Sequence, residues 1–181
     1  MNYAERMDRV KASDVREILK IAGCPEIISF AGGLPAPELF PVEKIREATN
    51  LVLDECAGAA LQYCPSSGYG RLRQQIAERM EKKVGAKVDP ANILPTCGSQ
   101  QGLDFCARLF VNPGDVVLME SPSYLGAINA FEICQPNFVS VPTDDEGMIM
   151  EELEKTLETV KNVKMIYVIP DFQNPSGRTW S

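Results

Sequence analysis

From residue 93 onward, short apolar runs of strand length alternate with spans of helical spacing, and this alternation constrains the fold more than any other feature. Residues 93–94, 116–119, 138–141 and 165–169 read as strands, and residues 100–110, 124–131 and 150–160 read as the helices between them. Parallel strands need a long crossover, which a helix supplies, so the pattern predicts a mainly parallel sheet covered by helices on both faces. Asn112-Pro113-Gly114-Asp115 and Asp144-Asp145-Glu146-Gly147 supply the intervening turn chemistry. The expected class is α/β.

The first half is less regular. Residues 13–20 read as a helix, with Ser13 as its cap, acids in the first turn and Gly23 beyond its end. Ile27-Ile28-Ser29-Phe30 is a short extended run that opens into Gly32-Gly33-Leu34-Pro35, too rich in Gly and Pro for regular structure. Pro41 suits a first helical turn, and residues 42–56 carry Ile45, Ala48, Val52 and Leu53 at helical spacing. A further helix runs through Leu72, Ile76 and Met80 to Gly85. The chain is thus divided into an N-terminal helix and arm, 1–41, expected to extend away from the sheet, and a sheet-forming part, 42–181.

Composition excludes several functions. A net charge of −7 and a pI near 4.7 leave no basic stripe for nucleic acid. There is no histidine, and the six cysteines form no Cys-x-x-Cys pair, which removes zinc-finger spacing and His-based triads. No apolar run approaches the roughly 18 residues of a membrane span. A soluble chain of the reducing cytoplasm is expected, with no membrane partner.

Three segments could carry chemistry. Thr96-Cys97-Gly98-Ser99-Gln100-Gln101 joins a strand to a helix start, where free N–H groups and the dipole favour an anion, although it also serves as an ordinary helix start. In Ser121-Pro122-Ser123-Tyr124, the Tyr124 ring could cover a flat ligand or simply fill the core. Asn174, within Gln173-Asn174-Pro175-Ser176-Gly177, fits a ligand hydrogen bond or a turn. All three lie at strand ends that an open α/β sheet delivers to one edge, where such folds bind ligands.

These motifs occur in order with Ser29-Phe30-Ala31-Gly32-Gly33-Leu34-Pro35, Leu61-Gln62-Tyr63, Gly68-Tyr69-Gly70 and Pro113-Gly114-Asp115. Together the chain resembles the fold type I, pyridoxal-phosphate-dependent aminotransferases of class I/II, nearest their 2-aminoadipate branch. That resemblance implies the opening part of a three-layer α/β/α transferase domain. It implies transfer of an amino group between an amino acid and a 2-oxo acid, in a homodimer with shared active sites. Ser99 and Gln100 would bind the cofactor phosphate, Tyr124 would stack on the pyridine ring, and Asn174 would hydrogen-bond its 3-hydroxyl oxygen. Tyr63 would reach the phosphate of the neighbouring subunit, and Gly33 would lie beside the substrate carboxylate. Ser13 and Arg16 resemble a mobile substrate-recognition element, for which a bidentate guanidinium is well suited.

The family's Schiff-base lysine lies in a Ser-x-Ser-Lys-like turn, and none of Lys11, Lys20, Lys44, Lys82, Lys83, Lys87, Lys155, Lys161 and Lys164 has that context. No catalytic residue is therefore assigned, and the chain reads as an amino-terminal portion unable to transaminate alone. The resemblance also implies that the strand at residue 93 lacks its neighbours, whereas those near Val116, Val139 and Ile166 form a contiguous group. An alternative is the ligand-sensing effector domain of an aminotransferase-like transcription regulator.

Overall fold

The computed structural model describes residues 2–9, 26–28 and 33–181. These divide into two compact units, Ser13–Pro95 and a sheet unit of Met1–Ala12 with Thr96–Ser181. The expected helix at residues 13–20, with Ser13 and Arg16, lies outside the described residues.

In the first unit, α1 spans Val42–Ala60 and α2 spans Gly70–Val84. The expected end of the first helix at Cys56 is instead a kink: Cys56 leaves helical geometry (φ −149°, ψ 34°) and the helix resumes. Gly85 ends α2 in the left-handed region (φ 69°), its N–H donating to Glu81 O at 3.1 Å, with Lys82 and Lys83 in the last turn.

The second unit is built around β1 (Val116–Glu120), every residue of which is buried. It pairs in parallel with β2 (Asn137–Val141) on one side and β5 (Val163–Tyr167) on the other, giving the order β2-β1-β5. The crossovers are α4 (Leu125–Glu132) and α5 (Met150–Thr159), and α3 (Ser99–Phe110) precedes the sheet. A small antiparallel hairpin, β3 (Thr143–Asp144) with β4 (Gly147–Met148), flanks the turn residues of Asp144-Asp145-Glu146-Gly147.

Alternation along β1 makes the layers. Val117 and Met119 pack with Ala107, Ala127, Ala130 and Phe131 of α3 and α4. Val116 and Leu118 pack on the other face with Val141, Met148 and Leu153 of α5. A central strand buried on both faces is what a parallel α/β sheet requires, and the three-layer expectation holds.

Two boundaries differ from expectation. Residues 93–94 form no strand: Ile93 is extended (φ −107°, ψ 125°), but no described strand pairs with it and Leu94 is half exposed. A strand exists only through its neighbours' hydrogen bonds, and no described strand supplies them. β5 begins earlier than expected and ends at Tyr167, with a ladder irregularity between Val116 and Val117 that sets Val163 and Met165 opposite them. Beyond it, the Ile169 N–H donates to the Glu120 carboxylate at 3.0 Å rather than to backbone.

Residues 2–9 include a short 3-10 turn at Glu5–Asp8. Arg9 donates to Pro136 O at 3.2 Å and lies 3.9 Å from Glu132, so this segment groups with the sheet unit.

Gly147 (φ +119°) is needed for a second reason, since a Cβ there would come within 2.6 Å of the Trp180 indole. Gly147→Ala is expected to displace Trp180, lower thermal stability by about 1–3 kcal/mol and shift tryptophan emission to the red. A variant with unchanged melting and emission would show that the indole does not seat on the hairpin.

Candidate functional site at the carboxyl edge of the sheet

Each predicted loop of the sheet unit sits where a strand or a helix start delivers it. Gly98 precedes α3 with φ 79°, a geometry natural to glycine, and no side chain caps the first turn. With no side-chain cap, the backbone N–H groups of the first turn of α3 are open donors at its positive end. Nearby groups hold the turn rigid: Thr96 Oγ1 donates to Gly98 O at 2.9 Å, and Cys97 N–H donates to Gln101 Oε1 at 2.6 Å. Gln100 adds a long-range tie, its Nε2 donating to Gly126 O in the first turn of α4 at 2.9 Å.

Tyr124 occupies the position just before α4 and is half buried against the Phe131 cluster. Its ring lies over Gly126, where a Cβ would meet it at 2.4–2.6 Å, so only glycine admits the ring in this position. The ring thus packs on the core cluster, and the residue stands at the start of α4. Tyr167 makes an edge-to-face contact with Phe131, 5.5 Å between centroids at 82°. Burial pushes the Tyr167 phenol up, with Tyr124 and Glu120 adding to the shift. The Ser123 hydroxyl is buried and has no partner among the described residues.

The loop after β5 carries Asn174, which is exposed and precedes a cis proline, as Ser121 also does. Gln173 beside it is 4% exposed, and its Nε2 donates to Pro122 O at 2.9 Å. The structure therefore brings three segments of one unit together: Gln100 bonds to the α4 start, and Gln173 bonds to the loop that carries Tyr124. In the other unit, Tyr63 is fully exposed and Gly33 has φ 50° with open space around it.

Sequence reasoning missed Glu120 and Gln173, the buried polar residues of the described chain. A signal existed in Glu120, a carboxylate ending an otherwise apolar central strand. No group of metal-ligating side chains occurs among the described residues, and no described helix is long and apolar enough to cross a membrane.

A parallel sheet between helical layers, with a helix start, an aromatic loop and an asparagine loop joined at its carboxyl edge, defines a protein of the open α/β class. Comparison with known proteins narrows this. Residues 26–181 match the family model described as aminotransferase class I and II. The aromatic-amino-acid aminotransferase 1 of Thermococcus litoralis is 46% identical, over 98% of this chain and 43% of its own length. The 2-aminoadipate transaminase of Thermus thermophilus is also 46% identical, over 97% of this chain and 42% of its own. The crystal structure of Pyrococcus horikoshii kynurenine aminotransferase with PMP superimposes with a TM-score of 0.91 at 41% identity, covering 99% of this chain and 45% of that one.

The chain belongs to the class I and II aminotransferase family. It spans less than half the length of the relatives it matches.

Proposed function

We propose that this chain is the amino-terminal part of a cytoplasmic, homodimeric, pyridoxal-phosphate-dependent aminotransferase that moves an amino group between an amino acid and a 2-oxo acid. Residues 1–41 supply its arm and substrate element, and residues 42–181 supply the opening of its cofactor-binding domain. The observation that carries the reading is the joining of the uncapped α3 start, the Tyr124 loop and the Asn174 loop at one sheet edge.

The residues present fit the cofactor. The open first turn of α3, with Ser99 and Gln100, provides N–H donors for a phosphate, and Gly98 keeps the approach clear of side chains. Tyr124 presents an aromatic surface for the pyridine ring. Asn174, exposed at the loop tip, offers an amide to the ring hydroxyl. When bound, the cofactor supplies an electron sink for charge developing at the substrate Cα. The chain's own contribution is to bind and orient it. The exposed Tyr63 is assigned to the partner subunit's phosphate, Gly33 to the side of the substrate carboxylate, and Ser13 with Arg16 to substrate recognition.

The test is purification of the full-length gene product with and without Ser99→Ala. The parent is expected to retain pyridoxal 5′-phosphate and transaminate 2-oxo acids, and the variant to bind it about tenfold more weakly, the loss of one hydrogen bond to a charged group. A full-length product that neither binds the cofactor nor turns over would sink the reading.

A further inference from the structure

Glu120 lies at the end of β1 with only 3% of its surface exposed, and a carboxylate in such a place demands partners. Its partners are all donors. Oε2 accepts from Ile169 N–H at 3.0 Å and from Gln173 Nε2 at 3.5 Å, and Oε1 accepts from the Trp180 indole N–H at 3.1 Å. No lysine or arginine among the described residues pairs with it.

Gln173 passes the connection on. Its Nε2 also donates to Pro122 O at 2.9 Å, and its Oε1 accepts from Ser176 N–H at 2.8 Å. Its backbone N–H donates to Arg178 O at 2.7 Å. Every polar group of this side chain is therefore engaged, and its neighbour Asn174 is carried on a loop closed around it. One end of the amide faces the loop of Tyr124 and the other faces the loop of Asn174.

An amide can be turned either way, exchanging its donor and acceptor ends. An acceptor-only carboxylate at Glu120 admits one orientation: Nε2 toward Glu120 and Pro122 O, Oε1 toward Ser176 N–H. We propose that Glu120 and Gln173 are positioning residues, a buried carboxylate–amide clamp that fixes the Asn174 loop against the Tyr124 loop so that both side chains are presented to one ligand. The proposal rests on the preceding reading for the identity of that ligand, but the clamp itself is defined by contacts within the sheet unit.

A merely structural role would loosen the whole unit, whereas the clamp acts on one loop. The first measurement is amide hydrogen exchange in the full-length gene product carrying Glu120→Gln. Exchange is expected to rise at least tenfold across residues 169–177 and to stay unchanged in α5 and β2. Uniform acceleration, or none, overturns the proposal. The second is the affinity for pyridoxal 5′-phosphate by equilibrium dialysis in Glu120→Gln, Asn174→Ala and the double variant. Glu120→Gln is expected to weaken binding about tenfold, as loss of an orienting partner does at other sites. If it acts through Asn174, the double variant binds no worse than Asn174→Ala alone. Multiplying losses overturn the clamp. Should the parent protein bind no cofactor, the functional reading falls, and the exchange pattern alone decides the clamp.

Discussion

Given pyridoxal 5′-phosphate, an amino acid and a 2-oxo acid, the isolated 181-residue chain is expected to show no turnover and no stoichiometric borohydride-fixed label at any single lysine. The reason is positional. Lys44 lies in α1, Lys82 and Lys83 in the last turn of α2, and Lys87 is exposed beyond it. Lys155 in α5 is paired with Glu152 at 2.5 Å, Lys161 donates to Glu158 O at 3.4 Å, and Lys164 occupies an exposed position of β5. None of these belongs to the segments that carry Ser99, Tyr124 and Asn174, and Lys11 and Lys20 lie outside the described residues. Covalent catalysis without its amine forfeits most of an acceleration that reaches at least about a millionfold in enzymes. Non-covalent retention of the cofactor is a separate matter, because the α3 donors and the Tyr124 ring do not depend on a lysine. Mass mapping after reduction decides the point: a single, fully labelled lysine together with turnover would overturn it.

Local pattern revealed most of the sheet unit. The apolar run at 116–119, flanked by Asn112-Pro113-Gly114-Asp115, marked β1, and helical spacing marked α3, α4 and α5 to within a residue or two. Family motifs marked Ser99, Tyr124 and Asn174, and the fold brings their segments together. What escaped the sequence was pairing at a distance. Ile93 and Leu94 have strand composition, but strandhood depends on neighbours that composition does not show. Glu120 stands one residue past the apolar run at 116–119, where the sequence assigns it no role. Its role appears only when Ile169, 49 residues on, and Trp180, 60 residues on, fold back to it. The hairpin β3–β4 is set in the same way, by the Trp180 indole seated on Gly147. Periodicity reports which face a residue shares with its near neighbours and is silent about such long-range closures.

Phe131→Ala is expected to cost about 3–5 kcal/mol, the range for truncating a large buried aromatic. Phe131 is fully buried in α4, and it meets the Tyr167 edge of β5 as well as Val117 and Met119 of β1. The buried helical members of its cluster are Ala107, Ala127 and Ala130, with Leu103 and Ile128 partly buried beside them. The loss depends on how far these neighbours relax into the space left behind. Against a total of about 5–15 kcal/mol for a domain, this removes a large part of the unit's stability and lowers its melting temperature by roughly 15–30 °C. Phe172→Ala is the control: Phe172 is 82% exposed, and its truncation should change stability by less than about 0.5 kcal/mol. The variant also bears on the site, since Phe131 seats the helix whose first turn receives the Gln100 amide at Gly126 O and follows Tyr124. Loosening that seat should weaken cofactor binding in the full-length product along with stability, while Phe172→Ala leaves stability unchanged. If Phe131→Ala melts within a few degrees of the parent, α4 is not packed on the sheet through this ring, and the geometry drawn for Tyr124 fails with it.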